Sequence, residues 1–238
     1  MRCLIADFLI DFKNRYGFTA RQCAEYECEK DAPVDFEVVA TDADIQQERL
    51  HAEREYPIGY LENICLYRNL ALQLPKKDSF LMHGSVISVK DKGIAFLARS
   101  GTGKTTHTLL WKQRFGEDMT IINGDKPIIR FSEDGTPYAY GTPWAGKEGF
   151  QVNSKTELTD ICFIERADEN SIERIIPQKA LNPLMNQILV PSDPIAAMKT
   201  LELIDRLLKH TRLWIIHCNP YPEAAEVASD AIFGKAAK

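Results

Sequence analysis

Residues 98 to 106 read Ala98-Arg99-Ser100-Gly101-Thr102-Gly103-Lys104-Thr105-Thr106. The order is that of a phosphate-binding loop with alanine at its first glycine position, and such a loop works only where a strand enters it and a helix leaves it. Both flanks are present. Ile94-Ala95-Phe96-Leu97-Ala98 reads as a strand, and residues 104–115, carrying Leu109, Leu110 and Phe115, read as a helix that closes at Gly116. This segment alone commits the chain to an α/β fold. Glycines let successive N–H groups turn inward around phosphate oxygens, the helix start adds its dipole, a lysine bridges the outer phosphates, and a hydroxyl beside it suits Mg2+. Ser100, Gly101, Thr102, Gly103, Lys104, Thr105 and Thr106 are therefore the expected nucleotide-binding residues, with ATP and Mg2+ as the expected cofactors and Thr105 as a metal ligand.

Ser85–Val89, a turn at Lys90-Asp91-Lys92-Gly93 and the strand before the loop predict a β-hairpin. After the loop helix, strands are expected at Met119–Asn123, Ile128–Phe131, Tyr138–Tyr140, Ile161–Glu165 and Ile172–Ile175, so the sheet is expected to be mixed. Pro194 opens a helix that presents Ala197, Met198, Leu201, Ile204 and Leu208; a strand at Leu213–Cys218 and a short helix after Pro222 follow. On the N-terminal side, Leu4–Phe12 and Val34–Thr41 read as strands, and a helix from about Tyr60, with Tyr60, Ile64, Tyr67, Ala71 and Leu74 on one face, runs to Pro75. The expected organisation is in two parts: a small N-terminal α+β portion, a β-rich cap over residues 1–58, followed by a P-loop catalytic domain over 59–238.

A chain of 238 residues, 45% hydrophobic and 26% charged, is long enough for one large domain or a core plus an attachment. Its net charge of -5 gives no broad attraction to phosphate backbones or anionic lipids, so neither nucleic acid nor membrane is an expected partner. The six cysteines lack CxxC spacing and several lie in apolar runs, which reads as reduced core thiols. The first residues are interrupted by charge too early for a signal peptide, no run of about 18 apolar residues occurs, and a cytoplasmic location is expected.

Several residues outside the loop can carry chemistry. Asp125 follows Thr120-Ile121-Ile122-Asn123 at a strand end, where a carboxylate beside bound Mg2+ would hold the ion. His83 either acts on a phosphate or orients Asp125, or is a core histidine. The segment Gly141 to Gly149 suits a backbone approaching an anionic ligand, or is a surface loop packed by Trp144. Arg166 follows a strand and either points at a transferred phosphoryl group or is solvated. His217 and Cys218 are adjacent on one strand and face opposite sides, which argues against a shared metal.

Met82-His83-Gly84-Ser85-Val86-Ile87-Ser88-Val89, the hairpin and Phe96 to Thr106 together resemble the catalytic domain of HPr kinase/phosphorylase, with a loop also similar to that of ATP-dependent phosphoenolpyruvate carboxykinase, a more distant relative. The resemblance covers about residues 80 to 180. It implies a mixed-sheet P-loop core and Mg-ATP-dependent transfer of a phosphoryl group to the hydroxyl of an unidentified protein or small-molecule acceptor, and closed homo-oligomers are common in that family. His83 matches the family's active-site histidine, Lys104 and Thr105 its loop lysine and metal-binding hydroxyl, and Asp125 the first of two adjacent acidic residues. Lys126 stands where the second would be, and Tyr140 to Gly149 replaces a family signature. Catalytic residues are then His83, Lys104 and Asp125, Asp125 is also a metal ligand, and the departing segment with Trp144, Lys147 and Glu148, together with Arg166, is the expected acceptor site. A nucleotide-binding regulatory or scaffold protein, or an NTP hydrolase, are the alternative readings.

Overall fold

The computed structural model describes residues 1–234, in which twelve strands and seven α-helices form a mixed α/β fold with two sheets. The small sheet holds β1 (Arg2–Ile5), β2 (Phe8–Phe12) and β3 (Phe36–Val38). The expected single strand over Leu4–Phe12 is instead a hairpin, because Ala6 and Asp7 both take positive φ, 54° and 60°, and reverse the chain in two residues. Val34–Thr41 is likewise shortened to β3, since Thr41 leaves the strand to cap a helix.

Helices α1 (Gly17–Gln22) and α2 (Asp42–His51) belong to the same stretch of chain as this sheet, so the N-terminal region is α+β rather than β-rich. α2 starts on a reciprocal capping box, with the Thr41 hydroxyl on the Asp44 N–H and the Asp44 carboxylate on the Thr41 N–H. α3 (Ile58–Gln73) has Leu61, Asn63, Cys65, Leu66 and Leu70 buried, so it is packed nearly all round. Of the face expected from periodicity, Ala71 and Leu74 are in the core, whereas Tyr60, Ile64 and Tyr67 line a cavity, Tyr67 also packing on the core. One hydrophobic cluster joins the small sheet and α3 to Leu81, Ile128, Tyr140 and Trp144. Polar ties reinforce it: Tyr140 donates to Asp7 at 2.7 Å, and Arg130 to the Ala6 carbonyl at 2.7 Å.

The large sheet begins with β4 (Ser79–Leu81), β5 (Ser85–Val89) and β6 (Lys92–Leu97). After α4 (Lys104–Phe115) come β7 (Met119–Asn123), β8 (Ile128–Phe131), β9 (Pro137–Tyr140), β10 (Lys155–Arg166) and β11 (Ser171–Arg174). Helices α5 (Pro177–Met185) and α6 (Pro194–His210), β12 (Arg212–Cys218) and α7 (Glu223–Phe233) complete the described chain. β10 is the spine. Its first residues pair antiparallel with β9, its later ones parallel with β12, and its other edge parallel with β6. Side-chain alternation sorts the two faces: Ala95, Leu97, Ile161 and Phe163 point to α5 and α6, whereas Ile94, Phe96, Cys162 and Ile164 point to α4 and α7.

α6 turns a different stripe inward than expected. Thr200, Leu203, Ile204, Leu207 and Leu208 are buried, whereas Met198 is 71% and Leu201 44% exposed. A leucine-rich helix offers two overlapping stripes, and only the packing selects one. In α4, Lys104, His107, Thr108 and Trp111 are buried at the i, i+3, i+4, i+7 spacing of a single face, and Leu109 is 43% exposed. Among the described residues all six cysteines are free thiols, five of them buried, and no helix is long and apolar enough to cross a membrane.

Candidate functional site

β6 is paired on both edges, and the chain leaves its end directly into the loop. The Thr102 N–H donates to the Arg99 carbonyl at 3.2 Å, which closes the turn, and Gly101 and Gly103 take φ of 76° and 123°. A side chain at either would be strained, and nothing lies within 4 Å of where its Cβ would be. The loop is therefore an open concavity. Among the described residues the amides of Gly103, Lys104, Thr105 and Thr106 find no acceptor, and the buried face of α4 fixes their direction. Lys104 is 8% exposed and folds its ammonium onto the Ala98 carbonyl at 2.9 Å. Burial lowers its pKa, with Lys126 adding to the fall and Asp125 opposing it. Such a cation gains by meeting an anion.

Arg166, at the end of β10, donates to the carbonyls of Thr102 (Nε, 3.0 Å) and Gly101. Holding the Thr102 carbonyl outward turns the N–H of the same planar peptide, that of Gly103, the other way. Arg166 thus braces the loop from outside. Arg166→Ala is expected to leave the fold intact and weaken Mg-ATP binding about three- to tenfold, because an exposed charged hydrogen bond that preorganises the loop is lost. Calorimetric titration checks this, and an unchanged affinity would show that the glycines hold the loop unaided.

Opposite the loop, β7 ends in the buried Asn123, whose side-chain oxygen accepts from the N–H groups of Asp125 (2.8 Å) and Lys126 (2.7 Å). Its amide nitrogen reaches the Thr142 carbonyl at 3.0 Å, and the Thr142 hydroxyl donates to the Lys126 carbonyl at 2.7 Å. These two residues shape the acidic turn. Neither stands out from composition; the Asn-Gly-Asp order was the available signal. The turn is also pinned from behind, by the Gly84 N–H on the Asp125 carbonyl at 2.9 Å.

The Asp125 carboxylate pairs with His83 Nε2 at 3.2 Å through one oxygen and with Lys126 Nζ at 2.9 Å through the other. Partial burial resists its ionisation, but the His83 hydrogen bond and Lys126 outweigh that and lower its pKa to about 2. Lys126, the next residue in the chain, thus offsets the charge of Asp125. Over this turn lies the 141–149 segment. Gly146, at φ 77°, would place a Cβ 3.2 Å from that of Asp125, so the backbone closes on the carboxylate.

One cavity of about 740 Å3 gathers most of these groups. His83, Lys104, Thr105, Asp125, Lys147 and Glu148 line it, with Ser100, Gly101, Gly103 and Thr106 of the loop. Phe18 from α1 and Tyr60 and Tyr67 from α3 form its far side, with Phe18 and Tyr60 edge to face at 5.5 Å. Lys147 and Glu148 are exposed, whereas Trp144 is 3% exposed and packs on Phe12 and Tyr67, so it floors the cavity from the core. Thr102 of the loop and Arg166 lie outside this cavity; the structure does not bring Arg166 together with Trp144, Lys147 and Glu148. Thr105 and Asp125 supply hard oxygen donors to one space, which fits Mg2+, and the open glycine concavity with free amides fits a polyphosphate.

No protein-family model matches the sequence, and no curated protein does. Among solved structures, the chain is similar to the Hpr(Ser) kinase/phosphatase from Coxiella burnetii at 14% identity, over 53% of this chain and 96% of that one, with a TM-score of 0.30. A likeness of that size leaves function to be argued from the residues.

Proposed function

We propose that the chain binds Mg-ATP and transfers its terminal phosphoryl group to a hydroxyl of an acceptor, protein or small molecule. The observation that carries this reading is the single cavity shared by the amide cradle, Lys104 and the His83–Asp125 pair. Lys104 and the loop amides hold the phosphates, and Thr105 and Asp125 would ligate Mg2+, whose charge would offset that on the phosphate oxygens. Asp125, with a pKa of about 2, is a weak base, so removing the acceptor proton falls to His83, which Asp125 orients through Nε2. Lys147 offers a cation to an anionic group of the acceptor.

The Lys126–Asp125 ion pair favours a second reading, in which the nucleotide is bound for regulation or slowly hydrolysed. Incubation with terminally labelled ATP and an extract of proteins and metabolites separates the two. Label on an extract component is the expected result. Label released only as inorganic phosphate, at the same rate without extract, establishes hydrolysis, and binding without turnover establishes the regulatory role.

A further inference from the structure

A second cavity, of about 660 Å3, touches the cradle at Thr102, Gly103 and Thr106 but includes none of Lys104, Thr105 and Asp125. Its volume falls in the range of small-molecule sites, about 300 to 1,000 Å3. In a loop of this kind the outer phosphates lie at the lysine and the metal-binding hydroxyl, and the inner phosphate lies away from them. Whatever is esterified to the inner phosphate therefore leaves past Gly103 and Thr106, on the side where this cavity opens. A larger opening near α5 meets the loop only at residues 98–102, and a group leaving at Thr106 does not reach it.

The walls suit a flat heterocycle on a sugar. Leu110 and Ile164 are apolar. His107 is buried, and its Nε2 accepts the Trp111 indole N–H at 3.0 Å, so this part of the wall offers a ring already partnered from behind. Tyr221 stands at the rim with its side 62% exposed. The segment carrying it is set in advance: Asn219 donates to the Asp168 carbonyl at 3.0 Å and accepts from the Tyr221 N–H at 3.2 Å. The Asp168 carboxylate is exposed on the same rim and unpaired among the described residues, an acceptor for a pair of vicinal hydroxyls.

We infer that this cavity binds the nucleoside of the nucleoside triphosphate, with the base packed on Leu110 and Tyr221 and the ribose hydroxyls on Asp168. The inference rests on the nucleotide reading above and adds the subsite that distinguishes a nucleotide from a bare polyphosphate. Tyr221→Ala combined with Asp168→Ala changes only exposed side chains, so the fold should survive. Wild type and double variant are titrated calorimetrically with ATP and, separately, with tripolyphosphate, both with Mg2+. The expected result is that wild type prefers ATP by about tenfold or more, and that the variant loses about tenfold toward ATP while binding tripolyphosphate as before. Wild-type affinity of the variant for ATP would overturn the inference and leave the cradle standing, as would equal affinity of wild type for both ligands. Failure of both ligands to bind wild type would overturn the nucleotide reading and this inference with it.

Discussion

Lys104→Met is expected to weaken Mg-ATP binding roughly ten- to hundredfold, the equivalent of about 1.5 to 3 kcal/mol for a charge-assisted contact to phosphate. The variant should not be less stable. Burial lowers the pKa of Lys104, so the folded chain holds this proton less tightly than the unfolded chain does. The charged side chain therefore opposes folding at neutral pH, and that opposition fades only as pH rises toward the ordinary lysine value. Methionine keeps the buried stem and removes the charge, while the Ala98 carbonyl that accepted from it at 2.9 Å loses a partner. Melting temperature should match wild type or exceed it while affinity collapses. A large loss of both would mean that Lys104 braces the loop rather than serving the ligand.

What could be read from the sequence follows the range over which each feature is determined. The cradle was legible because its strand, glycines, lysine and helix are contiguous and each has a local reason to be there. The hairpin before it and the pairing of Asp125 with a histidine at the site were within reach for the same reason, aided by the family resemblance. The sequence points Arg166 at the acceptor site or at solvent; its bonds to the loop depend on the parallel pairing of β10 with β6, which no local pattern shows. Asn123 and Thr142 escaped notice because their roles are to hold other backbone segments, which no spacing reveals. The hairpin at Ala6-Asp7 lacks the Asn-Gly chemistry that marks tight turns, and α2 was hidden by a polar sequence whose one clear signal was the Thr41-to-Asp44 box. Trp144, expected at the acceptor site or as the packing residue of a surface loop, does line the cavity, but as part of the core, packed on Phe12 and Tyr67.

Asp125→Asn is expected to lower phosphoryl transfer at least about a hundredfold, the scale for losing a group that positions the proton acceptor and offers a metal ligand. The structure also ties this residue to stability. Its pKa of about 2 lies below the unfolded value near 3.8, held there chiefly by His83 and Lys126 against the opposing effect of burial. A depressed carboxylate stabilises the fold fully above the unfolded value, and that contribution is lost as pH falls through the folded one. Asparagine should therefore cost on the order of 1 to 2 kcal/mol at pH 7, after discounting for the partial exposure of the ion pairs. The gap between wild type and variant should stay constant down to about pH 5 and then close toward pH 2. Urea unfolding at pH 7, 5 and 3 measures the gap, and transfer of label from ATP measures the activity. A gap independent of pH would mean that neutral hydrogen bonding, not charge, holds the turn. Full activity in the variant would move the carboxylate role to Glu148, the other acid lining the same cavity.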